Sequence, residues 1–456
     1  MTSGGWMLFV MIVMTLSAVD ATGAAPVRPQ LRVAPPWTVV VGPGEMRVGN
    51  RHVRISLPVR LKILPPAVVR VRDEKHAALP LFNNNTGGWL KGLKLNALVT
   101  EECTATGLLH PDSVRVKRGP GDGAAFTAGK DYDFDGFWAT IGRLPGGAIG
   151  VDTPVYVDYD YTPARLDRIA ADRKGHVIYI PGTPGTSPLL PPPLPPGAIA
   201  IANVWIPGPL DALGEENLFP IDAPDSRNAP ARAPSGSVAA KLLPRTLAKL
   251  RAGDDVNIVA WGDSVTAGGG VGNEPALWYQ NQFAQALQKR FPKSKIHLYT
   301  AGWGGQSSRG YLDAPPGGQY NFQHDVIDRK PDLVTVEFVN DAYLSEDATQ
   351  TEYTEILNLL TGAGAEMALI TPHLVRPDWM GVKSLKFDQD PRPYVKGLRR
   401  FAAAHHVALA DASLRWTHLW REGIPYVTLL ANSINHPDAR GHKIFADTLL
   451  GLFPKN

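Results

Sequence analysis

The stretch VNIVAWGDSVTAGGG, Val256–Gly270, decides the reading of this chain. It opens on a short, mostly apolar run of the kind a parallel strand buried on both faces needs. It closes on Gly262-Asp263-Ser264, where a glycine permits a sharp turn and leaves a serine exposed at the carboxyl end of the strand, its backbone N–H free. In open α/β sheets that edge is where ligands bind. The plainer alternative is a serine that caps the next helix. The glycines that follow do not keep a strict G-x-G-x-x-G spacing, which argues against a dinucleotide site.

Working outward, four more apolar runs follow: Lys295–Thr300, Leu333–Phe338, Glu366–Thr371 and His406–Ala410. Between the opening run and Lys295–Thr300, Leu277, Phe283, Ala284, Leu287 and Phe291 share one helical face. Strands alternating with helices imply a parallel sheet with helices on both faces. The ends of these strands carry polar chemistry. TAGWGGQSS (Thr300–Ser308) brings Gly302, Gly304 and Gly305 to the active edge, and VEFVNDAYL (Val336–Leu344) brings Asn340 and Asp341. TPHLVRPDWMG (Thr371–Gly381) adds His373, Arg376, Asp378 and Trp379, either as substrate contacts or as loop residues that hold one another. Near the end, NSINHPDARGHKIFADTLL (Asn432–Leu450) sets His436 just before a helix, on which His442 reads as structural.

Upstream the text changes character. Of the 41 prolines, 28 precede Gly236. Val155, Val157, Tyr159 and Tyr161 alternate with polar or half-polar neighbours, the period of a half-buried strand. Residues 24–235 therefore read as an all-β, sandwich-like module, joined through Asp225–Ser235 to an α/β domain over 236–456. Pro181–Gly197 reads as a stiff loop inside that module rather than a linker. DYDFDG (Asp131–Gly136) imitates the start of a calcium loop, but its twelfth position is Gly142, so a strand is the better reading. Residues 1–23 read as a signal peptide: Trp6–Val19 is apolar but shorter than the ~20 residues of a membrane span, and small residues follow. An uncleaved anchor is the alternative. The expectation is a secreted or periplasmic protein, free of the membrane after cleavage.

Composition narrows the field. Hydrophobic residues at 44% and charged residues at 20% support a sizeable core, and a net charge of +3 gives no drive toward nucleic acid. The single cysteine, Cys103, excludes an internal disulfide and a cysteine-based zinc site. His436 and His442 lack an HExxH context, so no metal site is expected.

The ordered set of GDS block, glycine block, Asn-Asp and late histidine resembles the SGNH (GDSL-type) esterases and lipases, over about Asp254 to Leu452. The resemblance implies a flavodoxin-like, three-layer α/β/α domain that needs no cofactor. It makes Ser264 the nucleophile and His436 the general base, with an oxyanion hole from the Ser264 N–H, the Gly305 N–H and the Asn340 side chain. Asp263, His373, Arg376 and Asp378 are candidate substrate contacts. Two positions depart from the family. Phe338 stands where block three has its glycine, and Ser433 stands where the family has its acid. The resulting expectation is a Ser–His dyad whose ring is oriented by a backbone carbonyl or Asn432, with Asp438 capping the last helix. By analogy, the function expected is an exported serine esterase that removes short acyl groups, acetyl above all, from a carbohydrate or another small ester. An O-acyltransferase using the same serine, or a carbohydrate- or surface-binding protein with a degenerate hydrolase domain, are the alternatives. The two regions are expected to fold separately.

Overall fold

A computed structural model describes residues 28–48, 51–222 and 237–455. The proposed signal peptide and the Asp225–Ser235 boundary lie outside the described residues. Among the described residues no helix is long and apolar enough to cross a membrane.

The five apolar runs of the second region form five strands: β1 (Asp255–Gly262), β2 (Lys295–Gly302), β3 (Leu333–Glu337), β4 (Glu366–Ile370) and β5 (Ala408–Ala410). All pair in parallel, in the order β2-β1-β3-β4-β5. That is the flavodoxin-like order, and its topological switch point lies between β1 and β3. Alternate residues of each strand face opposite layers, so one sheet feeds two cores. Val256 and Ile258 pack under α1 (Tyr279–Arg290) and α4 (Ala439–Leu450). Val259 and Trp261 pack under α2 (Glu346–Gly362) and α3 (Pro393–Ala404). Three layers follow from that alternation.

Phe338 finds its explanation here. Its backbone is extended, with φ −137°, so glycine's conformational freedom is not required. Its ring is fully buried edge-on to Trp261, with centroids 4.9 Å apart. The aromatic side chain fills the layer behind the site.

The first region is all-β, built of small antiparallel sheets around two apolar cores. Val155–Tyr161 lies between Leu109–Lys117 and Val69–His76, with Val155, Val157 and Tyr159 buried as their alternation requires. Arg165–Ala171 is flanked by Val177–Ile180 and Ile199–Ile206, so the proline-rich 181–197 segment joins two neighbours of one strand inside the module. Tyr132–Asp135 is a strand; Asp135 pairs with Lys91 at 2.8 Å, and Asp131 accepts the N–H groups of Thr127 and Ala148. Those acids are spent on turns and an ion pair, in keeping with a strand rather than a calcium loop.

The module packs along the loops that precede α4. Asn203 donates to Gly423 O at 2.7 Å, Leu189 N–H to Thr428 O at 3.2 Å, and Asp222 N–H to Arg421 O at 2.8 Å. Cys103 and Trp138 of the module are buried with Ile434 in a small core of their own. Trp138 also lies under the Arg376 guanidinium, 4.4 Å from its ring. This seam is at odds with the expectation of separate folding. Calorimetry should show one unfolding transition for the chain, and Trp138→Ala should lower its stability by about 3–5 kcal/mol. Two transitions, the later one indifferent to Trp138→Ala, would mean that the parts fold independently.

Candidate active site

β1 ends at Gly262, and the chain turns at once. A Cβ on Gly262 would lie 2.3 Å from Glu337 O, so only glycine allows β1 and β3 to come this close at the turn. Ser264 does not cap a helix. It sits half-buried in a run of turns, closed where Gly269 N–H donates to Ser264 O at 2.8 Å. The turn is held from behind by Asp263, which is fully buried. Its Oδ1 accepts Val265 N–H and its Oδ2 accepts Asn340 N–H, both at 3.0 Å. One carboxylate therefore sets the spacing between the serine at the end of β1 and the asparagine after β3. Burial lifts its pKa to about 6 against the pull of these donors.

Asp341 does the same for the glycine block. It accepts Ser308 N–H at 2.9 Å, Ser308 Oγ at 2.7 Å and Tyr353 OH at 2.9 Å. Burial pushes its pKa up to about 7. Gly305, just before Ser308, has φ +77° and open space where a Cβ would stand. Asn340 Nδ2 donates one hydrogen to Gln306 O at 3.2 Å, leaving its other hydrogen for a ligand. Among the described residues no acceptor engages the N–H of Ser264 or Gly305. Two backbone donors and one amide donor are thus available at one edge of the sheet.

His436 Nε2 lies 3.1 Å from Ser264 Oγ. On the far side of the ring, Nδ1 faces two carboxylates: Glu101 Oε2 at 3.1 Å and Glu102 Oε1 at 3.2 Å. Both belong to the β module. This overturns the dyad expectation. Asn432 makes no hydrogen bond to the ring. Its Oδ1 accepts the N–H groups of Ile434, Asn435 and His436, and its Nδ2 donates to Glu102 at 2.9 Å. Burial opposes charge on His436, but its bonds to the Glu101 and Glu102 carboxylates outweigh it and lift the pKa to about 9. Burial likewise opposes charge on Glu102, yet His436 and Asn432 draw its pKa down to about 2. The donor atoms of Glu101, Glu102 and His436 lie within 4.8 Å of one another, a spacing that would also suit a cation. With Nε2 aimed at a hydroxyl, the same set is arranged for proton transfer.

Ser433 has φ +62° and lines a cavity of about 430 Å³ at the seam, together with Arg376 and Thr428. Asp438 caps α4 as expected, accepting Arg440 N–H at 2.9 Å and Gly441 N–H at 3.2 Å. His442 is buried, with Nε2 donating to Gly269 O at 2.9 Å and Nδ1 accepting Tyr279 N–H, so it braces the serine turn. Burial holds its pKa down to about 4.

Two of the four candidate substrate contacts are corrected, because Asp263 and His373 are fully buried. The Arg376 side chain is only 4% exposed but lines the cavity beside Ser433. His373 Nε2 donates to Asn435 O at 2.6 Å, steadying the residue before His436. The Arg376 guanidinium rests on Trp138 and pairs through Nε with Asp378, while its backbone N–H donates to Ile434 O. Asp378 keeps a side chain 59% exposed and stays reachable. A second cavity, about 540 Å³, opens beside Asn340 and Asn435 and is walled by Val375, Trp379 and Met380. Trp379 is half-exposed there and rests on Trp89 of the module, with centroids 5.7 Å apart.

Two substitutions probe this geometry. Asn340→Ala should lower kcat and kcat/KM together by about 10²-fold with little change in KM. A variant that only raises KM would make Asn340 a binding residue instead. Ser433→Asp should leave kcat unchanged or lower it, because carboxylates already occupy Nδ1. A rise in kcat would show that His436 still lacks an acid.

Residues 260–444 match the sequence profile of the GDSL-like Lipase/Acylhydrolase family. No curated protein is significantly similar in sequence to the chain. Among solved structures, a two-domain esterase active on acetylated mannans is similar at 19% identity and a TM-score of 0.36, covering 46% of this chain. The chain spans about half of that protein, 51% of its length. An acetylxylan esterase from Geobacillus stearothermophilus is similar at 19% identity and a TM-score of 0.35, over 44% of this chain and 95% of its own. The family match thus falls on the parallel-sheet domain and takes in the Ser264, Gly305, Asn340 and His436 blocks.

Proposed function

We propose that this protein hydrolyses short-chain acyl esters, acetyl above all, through an acyl-enzyme on Ser264. The 3.1 Å approach of His436 Nε2 to Ser264 Oγ carries the reading. Ser264 Oγ attacks the acyl carbon while Nε2 takes its proton. The negative charge that develops on the acyl oxygen meets the Ser264 and Gly305 N–H groups and Asn340 Nδ2. The imidazolium then passes its proton to the leaving alcohol. Water enters by the same route and frees the enzyme.

The alcohol proposed is a carbohydrate hydroxyl. The cavity beside Asn340 has the half-exposed face of Trp379 as a wall and Asp378 close by in sequence, an apolar plane with polar groups near its rim. A flat aromatic wall suits the C–H face of a sugar ring. The degenerate-domain alternative leaned on the missing block-three glycine and the missing acid at Ser433; the extended backbone of Phe338 and the approach of Glu101 and Glu102 to His436 speak against it. Export remains part of the proposal, and N-terminal sequencing of the mature protein tests it.

The central test uses p-nitrophenyl esters of increasing chain length. Acetate should be turned over fastest, and Ser264→Ala should abolish both turnover and labelling by a fluorophosphonate probe. Equal labelling of the two proteins would remove Ser264 as nucleophile. A preference for long acyl chains would overturn the short-acyl assignment.

A further inference from the structure

We propose that the β module supplies the acid of the catalytic triad, and that Glu101 and Glu102, at the tip of one hairpin, share His436 Nδ1 between them. The inference rests on the Ser264–His436 reading above.

The hairpin pairs Val99–Thr100 with Cys103–Thr104, so Glu101 and Glu102 are its whole two-residue loop. Glu101 has φ +48°. Tight loops usually give such a position to Gly, Asn or Asp, and a glutamate there carries backbone strain. The strain is held by the surroundings. Thr100 is buried and donates to Ala431 O, and Ser187, from the same module, donates to Leu430 O. Cys103 is buried against Trp138 and Ile434. The loop is thereby fixed against the segment that carries His436.

The two carboxylates have different second partners. Glu101 Oε1 accepts Gly270 N–H at 2.8 Å and so reaches the serine turn. Glu102 Oε1 accepts Asn432 Nδ2 at 2.9 Å and so reaches the histidine loop. The hairpin tip is a wedge between the two loops whose spacing sets the Ser264–His436 bond. Gly269 and Gly270 permit the approach: a Cβ on Gly269 would lie 3.0 Å from the His436 ring, and one on Gly270 would lie 2.1 Å from Pro437 O. No proton needs to leave Nδ1. It stays on the ring while Nε2 gains and loses the serine proton, and the carboxylates stabilise the imidazolium. Two acids side by side are tolerated because Nδ1–H, Gly270 N–H and Asn432 Nδ2 all donate to them. The active site is then complete only with the module seated on the hydrolase domain.

The charged and titratable groups that act on His436 are Glu101 and Glu102 from the hairpin, Asp263 from the serine turn, and the neutral rings of His373 and His442. Both glutamates favour the imidazolium, so the neutral ring that takes the Ser264 proton should appear only as pH rises toward about 9.

The test uses the full chain with Glu101→Gln, Glu102→Gln and the double variant. kcat/KM for p-nitrophenyl acetate is measured against pH, with unfolding midpoints as a folding check. Each single variant should keep its plateau rate within about 10-fold, while the double variant should lose on the order of 10²–10⁴-fold, chiefly in kcat. The ascending limb should drop partway in each single variant and reach about 6.5 or lower in the double. A purely structural role would lower the rate without moving the limb. If the double variant folds and keeps both plateau and limb, the module is not the source of the acid. If one single variant loses as much as the double, or if the double does not fold and the single variants leave the limb in place, the shared acid is overturned. Ser264→Ala separates the two claims: activity in that variant defeats the esterase reading, whereas an inactive Ser264→Ala beside an unaltered double variant defeats only the module's role.

Discussion

The contact between His436 Nδ1 and the glutamates of the 99–104 hairpin is the one on which the site depends. The histidine loop has no carboxylate of its own within reach of the ring. Asn432 shapes that loop by gathering three successive N–H groups, but an amide oxygen already spent on backbone cannot compensate a positive imidazole. The compensating charge arrives from a segment 335 positions earlier in the chain. Since Glu101 also holds Gly270 N–H and Glu102 holds Asn432, the same contact spaces the serine turn and the histidine loop.

Behind the reacting groups lies a second tier of acids whose work is mechanical. Asp263 and Asp341 bind backbone N–H groups and hydroxyls, and burial raises both toward neutrality while those donors hold them down. Their bonds connect three separate strand ends into one rigid edge. Glu337 is different. It is fully buried, neither carboxylate oxygen has a partner among the described residues, and burial with Asp263 and Asp341 nearby holds it well above the usual carboxylate range. An isolated charge there would be prohibitive, so Glu337 is neutral.

The seam between module and domain does more than hold the two together. Trp89 packs on Trp138 and also on Trp379, and Trp138 supports Arg376, so an aromatic chain runs from the module to the wall of the cavity beside Asn340. The module therefore meets the site at two places, the glutamate pair beside His436 and the cavity wall.

Local pattern was enough for the parallel sheet. Its strands are short apolar runs, its helices carry one apolar face, and the GDS, glycine and Asn-Asp blocks sit at strand ends because the chain turns there. The pairing of Ser264 with His436 was legible for the same reason, since both flank regular elements of one domain. The acid was not. In the text, Glu101-Glu102 is an unremarkable pair of acids in a tight turn, and nothing local ties it to a histidine so distant in the chain. The roles given to Asp263 and His373 failed on burial, which depends on what packs over a loop and not on the loop's own residues. Residue type and spacing determined which groups stand at the edge of the sheet. Only the docking of a second folded unit decided which charge faces the imidazole, because an ion pair is set by distance in space, and that distance exists only after both cores have formed and closed on one another.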